Sequence, residues 1–518
     1  MNAAARGLAN RTALASMLVL SALLGSQSTA QSADAPKASP NVLLICIDDL
    51  RPELGCYGTE HVISPNIDRL SAPGVTFDRC YVQVAVCNPS RASLLTGLRP
   101  NTLGCWTLQY HFRETKPDAI TLPQYLRQHG YHAEGYGKVF HNPWQDPRSW
   151  SQPHQWGEGS FTNYSHEQNQ LIERVRGTLS ADDWRRDTLR GPITNDPDIR
   201  DEEHADGAMA AKVVDRLESL KSFDQPFFLA AGFVLPHLPW CPPRKYWDLY
   251  DRDQLQVAAN PEPPIDVPEV ALGTNYEFRH YADTIDLPAP LDRKISDERA
   301  RRFIHGYLAS VSFVDAQVGK ILDALDRHGL TENTIVSLWS DHGYKLGEHN
   351  AWGKMTNFEI DTRIPFMIRD PRVSTAGRRC SKLVEVVDVF PTICADDGEN
   401  LNVFGEHAAV EVELQQRLCK VLPADPVTLL PRIHSINGGK KVSLEFVNKH
   451  SGPLQVSWIS PAGERKQVYN IAPGQSRLVS SYVGHVFVAE SVDGRFHDVL
   501  TASEEKRYVI FGHDDRQQ

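Results

Sequence analysis

The sequence predicts an α/β domain built on a large, mostly parallel sheet flanked by helices, followed by a small C-terminal β-sandwich. Three observations predict it. Asn41–Ile47 (NVLLICI), 225–233 and 334–339 are continuous apolar runs, the pattern of strands buried on both faces. Helical periodicity fills the intervals, over 120–129, 208–220 and 302–328. From about residue 431 the pattern changes to closely spaced short β runs, some separated by Pro-Ala-Gly and Ala-Pro-Gly turns.

Taken in order, the chain first shows Arg6 and Arg11 ahead of an apolar stretch over 13–25, then the small residues Ser28-Thr29-Ala30. This is the pattern of a signal peptide over 1–30, so the mature protein is expected to be exported, periplasmic or extracellular, or lysosomal in an animal. The apolar part is shorter than the roughly 18–20 residues of a membrane span, and no later segment qualifies, so no span is expected in the mature form. The strand Asn41–Ile47 opens a domain predicted over 31–430. Within it, 302–328 places Phe303, Tyr307, Val311, Val314, Val318, Ile321 and Leu325 at three- and four-residue spacing, one apolar face of a long helix. The polar stretches 142–203 and 261–293, rich in Trp, Pro and Asp, read as surface excursions that wall a cleft. Residues 424–431 form a linker to a second domain over 431–518, whose strands are expected over 441–448, 454–459, 475–481 and 485–491. Acids outnumber bases by 65 to 54 with no Lys/Arg-rich run, which excludes nucleic acid as a partner. The nine cysteines are too few for a disulfide scaffold and odd in number, so at least one is unpaired.

Three short motifs carry chemistry. Asp48-Asp49 follows the first buried strand, where ligand sites of open α/β sheets gather. Adjacent carboxylates repel unless a cation bridges them, and hard oxygens suit Ca²⁺ or Mg²⁺; a solvated turn or helix cap is the plainer reading. Asp341-His342-Gly343 follows another buried strand and brings acidic ligands to the same sheet edge, or else a capping Asp and a structural His. Cys87-Asn88-Pro89-Ser90-Arg91 precedes ASLLTG. Pro89 suits the first position of a helix, which sets Cys87 at its positive end, where anions are favoured and a thiol pKa is lowered. Arg91 adds a permanent cation that grips an oxyanion. A small buried Cys at a helix start is the plainer alternative.

C-x-P-S-R followed by A-S-L-L-T-G resembles the signature of the sulfatase family. NVLLICIDDLRPELGCYG, SPNIDRL, GYGKVFH, PHLPW, SVSFVDAQVGKIL and SDHGYKLGEHNAWGK are most similar to its iduronate-2-sulfatase-like branch, over about 41–394. The resemblance implies an alkaline-phosphatase-like fold and a sulfuric ester hydrolase acting on sulfated sugars of glycosaminoglycan or algal polysaccharides. It implies that a formylglycine-generating enzyme oxidises Cys87 to formylglycine (3-oxoalanine), whose hydrate attacks sulfur. Asp48, Asp49, Asp341 and His342 would hold one Ca²⁺, with the Cys87-derived residue completing the set. Arg91 would stabilise the diol and His141 assist sulfate elimination. Lys138, His237 and Lys354 would bind sulfate oxygens or protonate the leaving alcohol. Tyr344 stands where this branch carries a Trp beside the sugar ring, and Met355 where it carries a Tyr. A phosphoester or phosphonate hydrolase of the same superfamily is one alternative, though its phosphatase relatives use Ser or Thr rather than Cys; a catalytically degraded secreted binding protein is the other.

Two departures accompany the resemblance. VEVVDVFPTIC (384–394) runs directly into a segment (395–423) similar to the terminal helix of the family, so about a hundred residues, a small subdomain, are missing between them. The tail, from Leu444 to about Ser491, resembles the β-domain of the von Hippel–Lindau protein through FVNKHSGPLQVSWISPAGE and YNIAPGQSRLVSSYVGHVFVAE. That likeness implies a peptide-binding pair at Ser481 and His485, with Val468 and Phe487 replacing two of the expected aromatics. A purely structural sandwich with Trp458 in its core is the plainer reading.

Overall fold

A computed structural model describes residues 39–372, 377–394, 441–449, 452–460, 465–482, 485–491, 497–501 and 507–510. The expected signal peptide, the helix over 395–423 and the linker 424–431 lie outside the described residues. The main sheet uses β1 (Asn41–Ile47), β2 (Val75–Tyr81), β3 (His132–Gly137), β4 (Phe227–Phe233) and β5 (Thr334–Ser340). A two-residue pair, β6 (Lys345–Leu346) and β7 (Trp352–Gly353), precedes β8 (Arg363–Arg369) and β9 (Arg378–Glu385), which complete it. Its seven strands run in the order β3-β4-β1-β5-β8-β2-β9. The block β3-β4-β1-β5 is parallel, β8 is antiparallel to both its neighbours, and β2 pairs with β9 in parallel. The sheet is therefore mixed and mostly parallel.

The three continuous apolar runs are the central strands β1, β4 and β5, buried at every position. Alternation along β1 divides the core in two. Leu43, Ile45 and Ile47 face one hydrophobic layer, and Val42, Leu44 and Cys46 the other. The first layer is covered by α2 (Ala205–Leu220) and α3 (Asp297–Arg327), and the second by α1 (Cys87–Thr96) and the helix Leu122–Gln128. All seven residues of the predicted stripe on α3 are buried in the first layer. Fully burying each such side chain is worth about 1.5–3 kcal/mol, which fixes the face this helix presents. The strands missing from the sequence reading have a physical excuse. β2 and β9 are only partly buried, and β3 reads HAEGYG, with two glycines and a glutamate where apolar residues would signal a strand.

The C-terminal strands are β10 (Lys441–Asn448), β11 (Leu454–Ile459), β12 (Arg465–Ile471), β13 (Ser476–Tyr482), β14 (Val486–Ser491), β15 (His497–Thr501) and β16 (Arg507–Ile510). They form two sheets, β13-β10-β16 and β12-β11-β14-β15. Between the sheets lie Leu444, Phe446, Leu454, Val456, Val479 and Phe487, with Trp458 partly buried against them. β12, β15 and β16 add three strands to the four expected. The eight described cysteines are all free thiols.

Candidate active site

The parallel register sets Ile47 of β1 beside Ser340 of β5, so the residues that follow, Asp48-Asp49 and Asp341-His342, leave the sheet side by side. A lattice of hydrogen bonds locks the two turns together. The Asp49 amide donates to Asp341 Oδ1 (3.2 Å), the Leu50 amide to Ser340 Oγ (2.9 Å), and Ser340 Oγ to the His342 carbonyl (2.8 Å). Tyr307 of α3 donates its hydroxyl to the Asp49 carbonyl (2.8 Å) and accepts from the Arg51 amide (3.0 Å). Asp49 itself adopts a left-handed conformation, φ +61°, which Asp tolerates better than most residues.

α1 brings its first residue to these turns. Cys87 Sγ lies 3.6 Å from Asp48 Oδ1 and 3.2 Å from His342 Nε2. Ser90 Oγ on the same helix donates to the Asp341 carbonyl (2.5 Å), and Arg91 Nε to Asp341 Oδ2 (2.8 Å). Arg91 also donates to the Lys138 carbonyl, and its Nη2 lies 3.7 Å from Asp48 Oδ1. Lys138, just past β3, pairs with Asp48. Its backbone crosses β4 so closely that a Cβ on Gly232 would lie 2.2 Å from it, and only glycine fits there. Lys354, just past β7, donates to Asp49 Oδ1 (2.7 Å) and stands 3.6 Å from Cys87 Sγ. Past β4, the carboxylate of Asp206 at the start of α2 accepts from the Val234 and Leu235 amides and sets the turn that carries His237.

Electrostatics follow from this packing. Burial alone would raise Asp48, but Lys138, His237 and Arg91 outweigh it and hold that carboxyl well below the usual range. Asp49 goes the other way, pushed up to about 7 by burial and by the charge of Asp48, against Lys354. His141 is lowered to about 3 by burial and Lys138, so its imidazole is neutral, and its Nδ1 is buried without a hydrogen-bond partner. Burial, Lys354 and Lys138 also lower His237.

The donor set fits a divalent cation. One ligand atom each from Asp48, Asp49, Cys87 and His342 lies within 4.8 Å of all the others, and Asp49 Oδ2 is buried without a hydrogen-bond partner. His342 Nδ1 is 3.1 Å from the Gly343 carbonyl, a contact that calls for Nδ1–H and leaves the Nε2 lone pair aimed at Cys87. Asp341 stands at the edge of this group, Oδ1 3.6 Å from His342 Nε2 while Oδ2 serves Arg91. Four carboxylates (Asp48, Asp49, Asp341 and Glu277) face three permanent cations (Arg91, Lys138 and Lys354), so a divalent ion changes the sign of the cluster to the one an anionic substrate needs.

Residues 40–395 match the family model described as Sulfatase. The chain belongs to the sulfatase family. This sulfatase is 36% identical over 407 residues to iduronate 2-sulfatase of Mus musculus, covering 73% of this chain and 72% of that one. It is 32% identical over 368 residues to a sulfatase of Formosa agariphila, covering 68% of each. Among solved structures, the phosphonate monoester hydrolase of Agrobacterium radiobacter superposes with a TM-score of 0.52 at 20% identity, covering 89% of both chains. A protein solved with its substrate D-glucosamine-2-N,6-O-disulfate gives the same score and identity, covering 90% of this chain and 91% of that one. These last two show the alkaline-phosphatase-like fold.

The structure of this sulfatase corrects three sequence expectations. The helix begins at Cys87, not at Pro89. The Cys87 thiol is not activated by the helix end; burial and the charge of Asp48 push its pKa well above the ordinary value, so the unmodified thiol is a poor nucleophile. Tyr344, expected at the substrate, is fully buried, stacked on Tyr307 with Trp240 at its edge, and touches no solvent that a sugar would replace. Sequence reading missed Glu277, which lies 3.7 Å from His237 and 3.3 Å from Lys354. Its only signal was a place in the polar excursion 261–293. It also missed Arg190, Trp156 and Phe161, which line a cavity of about 340 Å³ together with Lys138, His141 and His237.

Proposed function

We propose that this sulfatase removes sulfate from sulfated sugars, with Cys87 matured to formylglycine and one Ca²⁺ at the sheet edge. The observation that carries the reading is the convergence of Asp48, Asp49, Cys87 and His342 within a sphere of ligand distances, ringed by Arg91, Lys138 and Lys354. When present, the hydrated formylglycine supplies the nucleophile and the cation a Lewis acid. Asp48, Asp49, Asp341 and His342 hold the ion. Arg91, fixed by two carboxylates and two carbonyls, keeps the α1 end against the Asp341 turn and offsets their charge. Lys138 and Lys354 present ammonium groups to sulfate oxygens. His141, neutral and unpartnered at Nδ1, offers a hydrogen-bonding nitrogen to the hydrated side chain during sulfate release, and His237 faces the leaving alcohol. The sugar occupies the cavity beyond Lys138 and His237, where exposed Arg190 offers a cation to a carboxylate or second sulfate on uronate-type substrates.

The reading includes export directed by residues 1–30 and action of a formylglycine-generating enzyme. It divides the chain into a catalytic domain over 31–430 and an appended sandwich over 431–518. In the sandwich, Ser481 Oγ lies 3.0 Å from His485 Nδ1, and the rings of Trp458 and Tyr482 stand 5.1 and 5.3 Å from His485. This polar and aromatic patch suits a peptide or glycan.

Peptide mass spectrometry across Cys87 tests the reading, with a loss of about 18 Da expected when thiol becomes aldehyde. Turnover of p-nitrophenyl sulfate is expected to exceed that of p-nitrophenyl phosphate, to vanish in C87A, to stop in EDTA and to return with calcium. A purified, converted protein that cleaves the phosphate faster, or neither ester, overturns it.

A further inference from the structure

We propose that Glu277 is a positioning residue of this site, holding the Lys354 ammonium and the His237 imidazole on the leaving-group side of the sulfate when the cation engages Asp49. The inference rests on the sulfatase reading of the site.

Glu277 comes from the excursion over 261–293 and not from the sheet edge, and it is anchored on both sides. Phe278 is fully buried, with ring centroids 5.6 Å from Trp240 and 5.5 Å from Phe303. Two residues earlier in the chain than Glu277, Asn275 Oδ1 accepts from the Trp352 amide (2.8 Å) and Asn275 Nδ2 donates to the Pro288 carbonyl (2.9 Å). The first of these bonds ties the loop to β7, the strand that delivers Lys354. The carboxylate is thereby set with Oε1 3.7 Å from His237 Nε2 and Oε2 3.3 Å from Lys354 Nζ, its side chain about one-fifth exposed. Oε2 is buried and makes no hydrogen bond. Burial would raise this carboxyl, but Lys354 and His237 outweigh it and keep it charged.

Lys354 has two anionic neighbours, Asp49 at 2.7 Å and Glu277 at 3.3 Å. Asp49 belongs to the cation donor set, so an ion competes with the ammonium for its oxygens. Glu277 is then the carboxylate left to fix Lys354. Donor atoms of Asp49, His237 and Glu277 also lie within 4.8 Å of one another, but the Lys354 ammonium contacts both carboxylates, so the trio reads as an amine seat and not as a second metal site. His237 lies between two acceptors, Nδ1 2.8 Å from the Leu238 carbonyl and Nε2 3.7 Å from Glu277. Both contacts are attractive together only for the protonated imidazole, the donor form that Glu277 favours against burial and Lys354.

A fixed negative charge beside an anion pocket weakens sulfate binding. Its gain is in the transition state, where two oriented donors meet the charge developing on the leaving oxygen as the S–O bond breaks. The two effects have opposite signs, which separates positioning from a merely structural role. In E277Q, kcat for phenyl sulfate, a poorer leaving group, is expected to fall at least about tenfold, and kcat for p-nitrophenyl sulfate less than about threefold. Calorimetric affinity for inorganic sulfate is expected to stay equal or to tighten, and E277D to recover part of kcat. Equal losses on both esters, no loss, or sulfate binding that weakens in parallel with kcat overturns the role of Glu277. A wild-type protein inert toward p-nitrophenyl sulfate sinks the sulfatase reading itself.

Discussion

Arg91 has no exposed surface and still carries a charge, because Asp341 Oδ2, Asp48 and two carbonyls surround it. Removing a partner from a buried ion pair strands the other charge. R91A is therefore expected to lower unfolding free energy by about 3–5 kcal/mol, measured by urea denaturation of the unconverted protein. R91K is expected to fail as well, because an ammonium lacks the planar fork that serves Asp341 and the Lys138 carbonyl together. Position 87 makes a related point. The sequence motif places a cysteine at a helix start, and a helix start lowers a thiol pKa. Here desolvation and Asp48 win over the dipole, so the unmodified thiol stays protonated.

At the scale of elements, the site is a set of strand ends whose connections are pinned by buried groups. β4 continues into the His237 turn, and Asp206 holds that turn by accepting the Val234 and Leu235 amides. Burial raises the Asp206 carboxyl to about 7 despite those two bonds. In the unfolded chain it titrates near 4, so between about pH 4 and 7 the unfolded state releases a proton that the folded state keeps. Stability from this group is present below pH 4 and is lost as pH rises toward 7. Wild type is accordingly expected to lose roughly 4 kcal/mol relative to D206N across that window, read from urea melts at a series of pH values. An unchanged difference between the two proteins would show that Asp206 stays ionised when folded. Long apolar runs made β1, β4 and β5 legible in the sequence. β2, β3, β8 and β9 were not, because partial burial and glycine blur the strand pattern.

At the scale of the whole molecule, a chain with an excess of acids places two cations, Lys138 and Arg190, on the lining of a single cavity. Two excursions that look like featureless polar loops reach the site: Trp156, Phe161 and Arg190 from the first line this cavity, and Glu277 from the second stands beside His237 and Lys354. Arg190 is exposed, its guanidinium bonded to Tyr281 Oη at 3.1 Å. R190A is expected to raise KM about tenfold for a sulfated uronate disaccharide and to leave p-nitrophenyl sulfate unchanged, in steady-state assays of both. Equal effects on the two substrates would remove Arg190 from sugar recognition. Among the described residues no helix is long and apolar enough to cross a membrane.

The sequence by itself determined the strands that pass through the centre and the long helix α3, and its motifs singled out eleven candidate residues from Asp48 to Lys354. Those features are local: burial on two faces writes an unbroken apolar run, and chemistry at a strand end writes a short fixed motif. Only the tertiary structure decided the rest. It buried Tyr344 under the site, raised the Cys87 thiol, and brought Glu277 to Lys354 across 77 residues of chain. Desolvation and charge pairing depend on what other segments pack nearby, and no window of sequence holds that information.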